Sequence, residues 1–166
     1  MCLTCSQLDL HDNKLCRVDW RTGEGKYTPE AIAAIADALG TSRSLTSCDV
    51  RRNAICGHGV SSPTPRLMGF AAYAAHALSA AVLANKKIEK FNQIPIKEMR
   101  ADSLTTLDLS RVGIGVEGAL VVADLLKAMT SLTVADLRYN SLDVASATLL
   151  ASIAKETGVA WPTILS

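Results

Sequence analysis

Four stretches of this chain set their apolar residues in one common frame, and a recurring frame leaves few folds open. The first reads Cys5-x-x-Leu8-x-Leu10-x-x-Asn13-x-Leu15 and the second Leu45-x-x-Cys48-x-Val50-x-x-Asn53-x-Ile55. Leu104-x-x-Leu107-x-Leu109-x-x-Val112-x-Ile114 and Leu132-x-x-Ala135-x-Leu137-x-x-Asn140-x-Leu142 follow. Alternating apolar residues make a short strand with one buried face. The Asn then turns the chain while its amide bonds backbone groups that would otherwise lack partners, and the next apolar residue re-enters the core.

A helix signal follows the frames. Thr28-Pro29-Glu30 offers a cap, an N1 proline and an acidic first turn ahead of Ala31 to Leu39, and Gly40 is a natural stop. Glu117 to Met129 and Val144 to Ala154 carry apolar residues at helical spacing. Strand then helix, repeated, predicts an α/β solenoid: a right-handed β-α superhelix with a short parallel sheet on the concave face and helices on the convex face.

From Leu107 to Ala135 is 28 residues, long enough for a full helix per unit. Leu8 to Cys48 is 40, an excess that predicts an insertion at residues 16–27. Cys48 to Leu107 is 59, near two periods, so a degenerate unit is expected around 85–103, with an irregular strand near Phe91 because Pro95 removes a donor. Only 16 residues separate Phe91 from Leu107, too few for an ordinary helix. Residues 1–166 therefore read as a single domain of about five units. Neither end reads as a capping unit, which predicts a piece of a longer repeat chain or an end packed on a partner.

Composition narrows the function classes. With 17 basic and 16 acidic residues, the chain carries no electrostatic footprint for nucleic acid or an anionic membrane. Aromatics number only seven against 24 Ala and 21 Leu, so small aliphatic side chains must fill the core. Leu67 to Ala84 approaches a membrane span in length, but its Ala content and His76 favour a buried helix. No signal-like segment opens the chain, and five cysteines, an odd number, favour reduced thiols in the cytoplasm or nucleus over a disulfide framework.

These residues resemble the ribonuclease-inhibitor-type leucine-rich repeats, which also occur in NOD-like receptors and in the activating protein for the GTPase Ran. The best match is Ser103 to Leu126, similar to L-x-x-L-D-L-x-x-N-x-I-G-x-E-G-A-x-x-L-A-x-A-L, and Ser131 to Leu150 repeats it less tightly. Departures are Val112 in place of Asn, no Gly-x-Glu-Gly after Leu142, and the irregular unit near Phe91. The resemblance implies a protein-binding scaffold that works through its concave face. Its alternatives are regulation of a GTPase, as one branch of the family does, or a structural segment of a larger receptor or cytoskeletal assembly.

Several motifs suggest chemistry but have plainer readings. Gly113-x-Gly115-x-x-Gly118 has the spacing of a dinucleotide fingerprint, but the repeat consensus already explains Gly115 and Gly118, and no Rossmann strand with an acidic ribose ligand follows. Cys2, Cys5 and Cys16 could suggest zinc, yet Cys5 and Cys48 hold apolar frame positions, and Cys16 and Cys56 each follow the last apolar residue of a frame. His11, His58 and His76 share no spacing with a nucleophile or carboxylate. Residues 20–26 have phosphate-loop ingredients without the Walker spacing. Arg51-Arg52 and Lys86-Lys87 are too small for a nucleic-acid face. Neither catalytic residues nor a metal, cofactor or small-molecule substrate is expected.

One constellation remains. Between the two core positions of each frame stands an aspartate: Asp9, Asp49, Asp108 and Asp136. Two residues on stand His11, Arg51, Ser110 and Arg138. Parallel strands stack about 4.8 Å apart, so these residues should form rows, with the arginines offsetting aspartate repulsion. They are the candidate partner-binding residues, and the acidic row favours a partner segment carrying Lys or Arg.

Overall fold

The computed structural model describes residues 5–19, 21, 22, 24–55 and 65–160. Strand and helix alternate: β1 (Gln7–Asp9), α1 (Glu30–Thr41), β2 (Ser47–Asp49), α2 (Pro65–Ala84), β3 (Lys90–Phe91), α3 (Ile96–Arg100), β4 (Thr106–Asp108), α4 (Gly115–Leu126), β5 (Val134–Asp136) and α5 (Val144–Thr157). Among the described residues, every pairing between these five strands is parallel. Leu8 lies beside Cys48, Cys48 beside Phe91, and Leu107 beside Ala135. On the helix side α1 packs on α2, α2 on α4, and α4 on α5. No helix among the described residues is long and apolar enough to cross a membrane.

The core lies between these layers. Cys48, Phe91, Leu107 and Ala135 are buried on the strands, with Val50, Leu109 and Leu137 two residues further on. α1 contributes Ile32, Ala36 and Leu39, spaced to share one face. α4 is buried nearly all round, from Val116 to Leu126, because it has helices on both sides. Gly118 lets the first turn of α4 lie against the turn before α3: a Cβ there would stand 2.7 Å from Ile114 Cβ and 3.2 Å from Ile94 Cδ1. In the first unit Leu8, Leu10 and Leu15 are only partly buried.

Helix ends are sealed by the following segment. α1 runs through Gly40 to Thr41, one residue past the expected stop; Gly158, at φ +74°, is the glycine that ends a helix. Asn85 Nδ2 donates to the Leu39 carbonyl in the last turn of α1 and to the carbonyl of its C-cap Ser42. Arg100 donates to the carbonyls of Val82, Leu83, Asn85 and Ile88, so α3 ties down the end of α2. The Leu39, Val82 and Leu83 carbonyls among them lie in the last turns of α1 and α2, where a helix leaves carbonyls without intrahelical partners.

The strands form two sheets, β1-β2-β3 and β4-β5, where the sequence predicts one. The cause lies at Phe91. In the regular units the left-handed residues come four and six positions after the core strand residue: Asp12 and Lys14, Arg52 and Ala54, Arg111 and Gly113, Tyr139 and Ser141. After Phe91 they come at once, Asn92 at φ +48° and Gln93 at φ +68°, and the strand stops. Pro95 is not the cause; it stands at the start of α3, a helix of 5 residues.

The insertion at 16–27 folds back on itself. Val18 bridges Gly25 antiparallel, and the Asp19 N–H donates to the Glu24 carbonyl at 2.9 Å. Gly25, at φ +124°, is required, since a Cβ would lie 2.0 Å from the Arg17 carbonyl oxygen. Tyr27 anchors the segment by donating its hydroxyl to the Ile55 carbonyl at 2.5 Å.

Candidate functional site

On the strand side the aspartate row does a backbone task in every regular unit. Each Oδ1 accepts the N–H two residues on: His11 to Asp9 at 3.0 Å, Arg51 to Asp49 at 3.1 Å, Ser110 to Asp108 at 2.9 Å and Arg138 to Asp136 at 3.0 Å. Short polar side chains form such local bonds readily, and here each satisfies an N–H where the strand ends. Asp9 lies beside Asp49 and Asp108 beside Asp136, as the frame predicts.

The two arginines are bound to their own strands. Arg51 forks onto Asp49 through Nε at 2.9 Å and Nη2 at 2.7 Å, and Arg138 onto Asp136 at 3.0 and 2.6 Å. Burial raises the Asp49 carboxyl, but the Arg51 hydrogen bonds outweigh it and hold the group below the ordinary carboxylate range, with Gln93 adding to them. The Arg138 hydrogen bond lowers Asp136, and the Ser110 N–H lowers Asp108 against the repulsion of Asp136. Arg51 also reaches across the sheet break, donating Nη1 to the Val112 carbonyl at 2.7 Å.

Behind the rows, buried asparagines join the loops. Asn53 Oδ1 accepts the N–H of Asn13 at 2.9 Å and of Leu15 at 3.1 Å, while its Nδ2 donates to Leu10 and Val50 carbonyls. Asn140 repeats this with the N–H of Gly113 and Ile114 and the carbonyls of Leu109 and Leu137. Both reach back to the preceding regular unit. Asn92, in register with the aspartates, is turned inward and buried: its Oδ1 accepts the Val50 N–H and its Nδ2 donates to Ile114 O and Glu117 Oε1. The unit before Val112 turns too early to offer a matching loop, so an apolar residue fits there.

A row that the frame did not single out adjoins the candidates. Asp12, Arg52, Arg111 and Tyr139 follow the His11 row by one residue, all with left-handed backbone. The guanidinium of Arg111 lies 4.7 Å from the Tyr139 ring centroid, and that ring is 61% exposed. Residues 52–55 after β2 and the turns after β4 and β5 line a cleft of about 420 Å³ whose lining includes Arg52, Arg111 and Tyr139. Its only sequence signal is the recurrence of large side chains just after the frame's turn.

The remaining motifs are placed as follows. Gly115 and Gly118 serve the start and packing of α4, and the Gly113 and Ile114 N–H groups that would meet a phosphate already bond Asn140. Cys16 and Cys48 are buried free thiols, pushed up to about 12 by desolvation, while Cys5 is exposed despite its apolar frame position. Among the described residues no three His, Cys, Asp or Glu side chains converge as metal ligands. His76 is exposed on α2; Cys2, Trp20, Cys56 and His58 lie outside the described residues. No protein-family model matches this chain, and neither does any curated protein.

Proposed function

We propose that this chain is a leucine-rich-repeat solenoid of the ribonuclease-inhibitor-like type that acts as a non-enzymatic scaffold binding another protein on its concave strand side. The solenoid reading is supported by the equivalence of its units: the same pair of left-handed residues, the same aspartate-to-backbone bond, and the same asparagine bridges in Asn53 and Asn140. One observation carries the binding reading. Asp9, Asp108 and Arg138 stand exposed, and His11, Asp49, Arg51, Ser110 and Asp136 half-buried, in rows whose backbone is fixed by those bonds. Such pre-organisation lowers the ordering cost of association. The free, buried thiols of Cys16 and Cys48 support a reducing compartment such as the cytoplasm or nucleus.

Because each aspartate accepts a backbone N–H, Asp→Arg exchanges would disturb the fold as well as the surface. A photocrosslinking amino acid in place of Ser110 probes the rows without that cost, with Ser152 on the exposed side of α5 as the control. Illumination in cell lysate should give a discrete protein adduct from position 110 and none from 152. Equal adducts from both positions, or none from 110 or from Thr106, overturn the reading. Asp108→Asn with Asp136→Asn keeps an Oδ1 acceptor, removes two charges, and should reduce the adduct with circular dichroism unchanged.

A further inference from the structure

The arginines that the sequence assigns to a partner are already used. Arg51 and Arg138 form ion pairs with Asp49 and Asp136. Arg111, one residue outside their row, forms no ion pair among the described residues. Instead it stacks over Tyr139 at 4.7 Å and lines the cleft of about 420 Å³ between residues 52–55 and the turns after β4 and β5. Arg52, at the equivalent position of the second unit, lines the same cleft, as do Ile55, Val112 and Val116. We infer that this cleft docks an acidic segment of a partner protein, with Arg111 as the carboxylate contact and Tyr139 as the positioning residue that holds the guanidinium flat.

Charge and donor geometry favour a carboxylate. A guanidinium stacked on a ring keeps its edge N–H groups free for bidentate pairing. A phosphate dianion would need more donors, but the nearby Gly113 and Ile114 N–H groups are occupied by Asn140 Oδ1. The Glu117 side chain also lines the cleft, which penalises a doubly charged group more than a singly charged one. The apolar residues of the lining, Ile55, Val112 and Val116, suit the methylene groups of Glu. The proposal takes the macromolecular class of its partner from the scaffold reading and adds the chemistry of the segment bound.

The test is fluorescence anisotropy with the full chain and a short fluorescein-labelled peptide alternating Glu and Gly, against a Lys-Gly peptide. The acidic peptide should bind saturably, and the Lys-Gly peptide, which the aspartate row would attract instead, should not be weakened by Arg111→Glu. Arg111→Glu should weaken binding at least about ten-fold, and raising salt from about 50 to about 300 mM should weaken it further. Tyr139→Ala should cost about three-fold, while Tyr139→Phe, which keeps the ring face, should retain the affinity and Ser152→Ala, on the exposed side of α5, should leave it unchanged. Should Arg111→Glu lose its native circular dichroism, Arg111→Gln is measured in its place with the same direction expected. Failure of the acidic peptide to bind, insensitivity of its binding to Arg111, or equal displacement by inorganic phosphate overturns the proposal. A position-110 adduct without peptide binding would sink this inference and leave the scaffold reading standing.

Discussion

At the residue scale the instructive comparison is Asn140 with Val112, which occupy the same frame position. Asn140 is buried and bonds the N–H groups of Gly113 and Ile114 and the carbonyls of Leu109 and Leu137, whereas Val112 faces a unit with no corresponding loop. Replacing Asn140 by Val strands those buried groups and should destabilise the chain by about 3 kcal/mol, seen as a fall of roughly 10 °C in thermal midpoint. Val112→Asn should bring no gain. A shift of less than about 2 °C for Asn140→Val would show that the loops hold without the amide. The Asn pattern made this role legible in sequence, since an amide can accept from and donate to the backbone at once. The aspartate row was legible only as a row. Its bond to the N–H two residues on depends on side-chain rotamer and turn geometry, which a pattern of residue types does not specify.

At the scale of elements, the short unit around β3 and α3 decides how the two sheets meet. α3 holds only 5 residues, so α2 and α4 pack directly on one another, and Arg100 secures the end of α2. Its guanidinium draws no ion pair among the described residues; its partners are carbonyls of Val82, Leu83, Asn85 and Ile88, where the negative end of a helix dipole favours a cation. Arg100→Met keeps the packing stem and removes the donors, and should cost about 2 kcal/mol. Hydrogen exchange at the C-terminal turn of α2 and at Ile88 should accelerate more than exchange within α5. Arg100→Lys should rescue only in part, because a compact ammonium cannot span four carbonyls. Uniform exchange across both helices would remove the local capping role. Spacing alone announced that α3 would be short. It did not announce which residue would compensate.

For the whole molecule, the strand-side charges make stability depend on pH in a definite direction. Hydrogen bonds hold Asp49, Asp108 and Asp136 below the ordinary carboxylate range, and Lys14 draws exposed Asp19 down to about 2. Lowered carboxyls give stability that is present above about pH 4 and lost as pH falls through their folded values. Buried Cys16 and Cys48, raised to about 12, act at the other end: their contribution is intact below the ordinary thiol value and fades as pH rises above about 8.5. The thermal midpoint should therefore form a plateau between about pH 5 and 8 with a fall on each side. A midpoint unchanged at about pH 3 would show that these carboxylates are not coupled to folding. By itself, the sequence determined where the strands lie, which residues face inward, and that Asp, Arg and Asn would recur in rows, because alternation and turn chemistry act between residues close along the chain. Tertiary structure alone decided the sheet break after Phe91, the reach of Arg51 to Val112, and the cleft where Arg111 rests on Tyr139. Those features join segments tens of residues apart, so they depend on which loops become neighbours once the helices have packed.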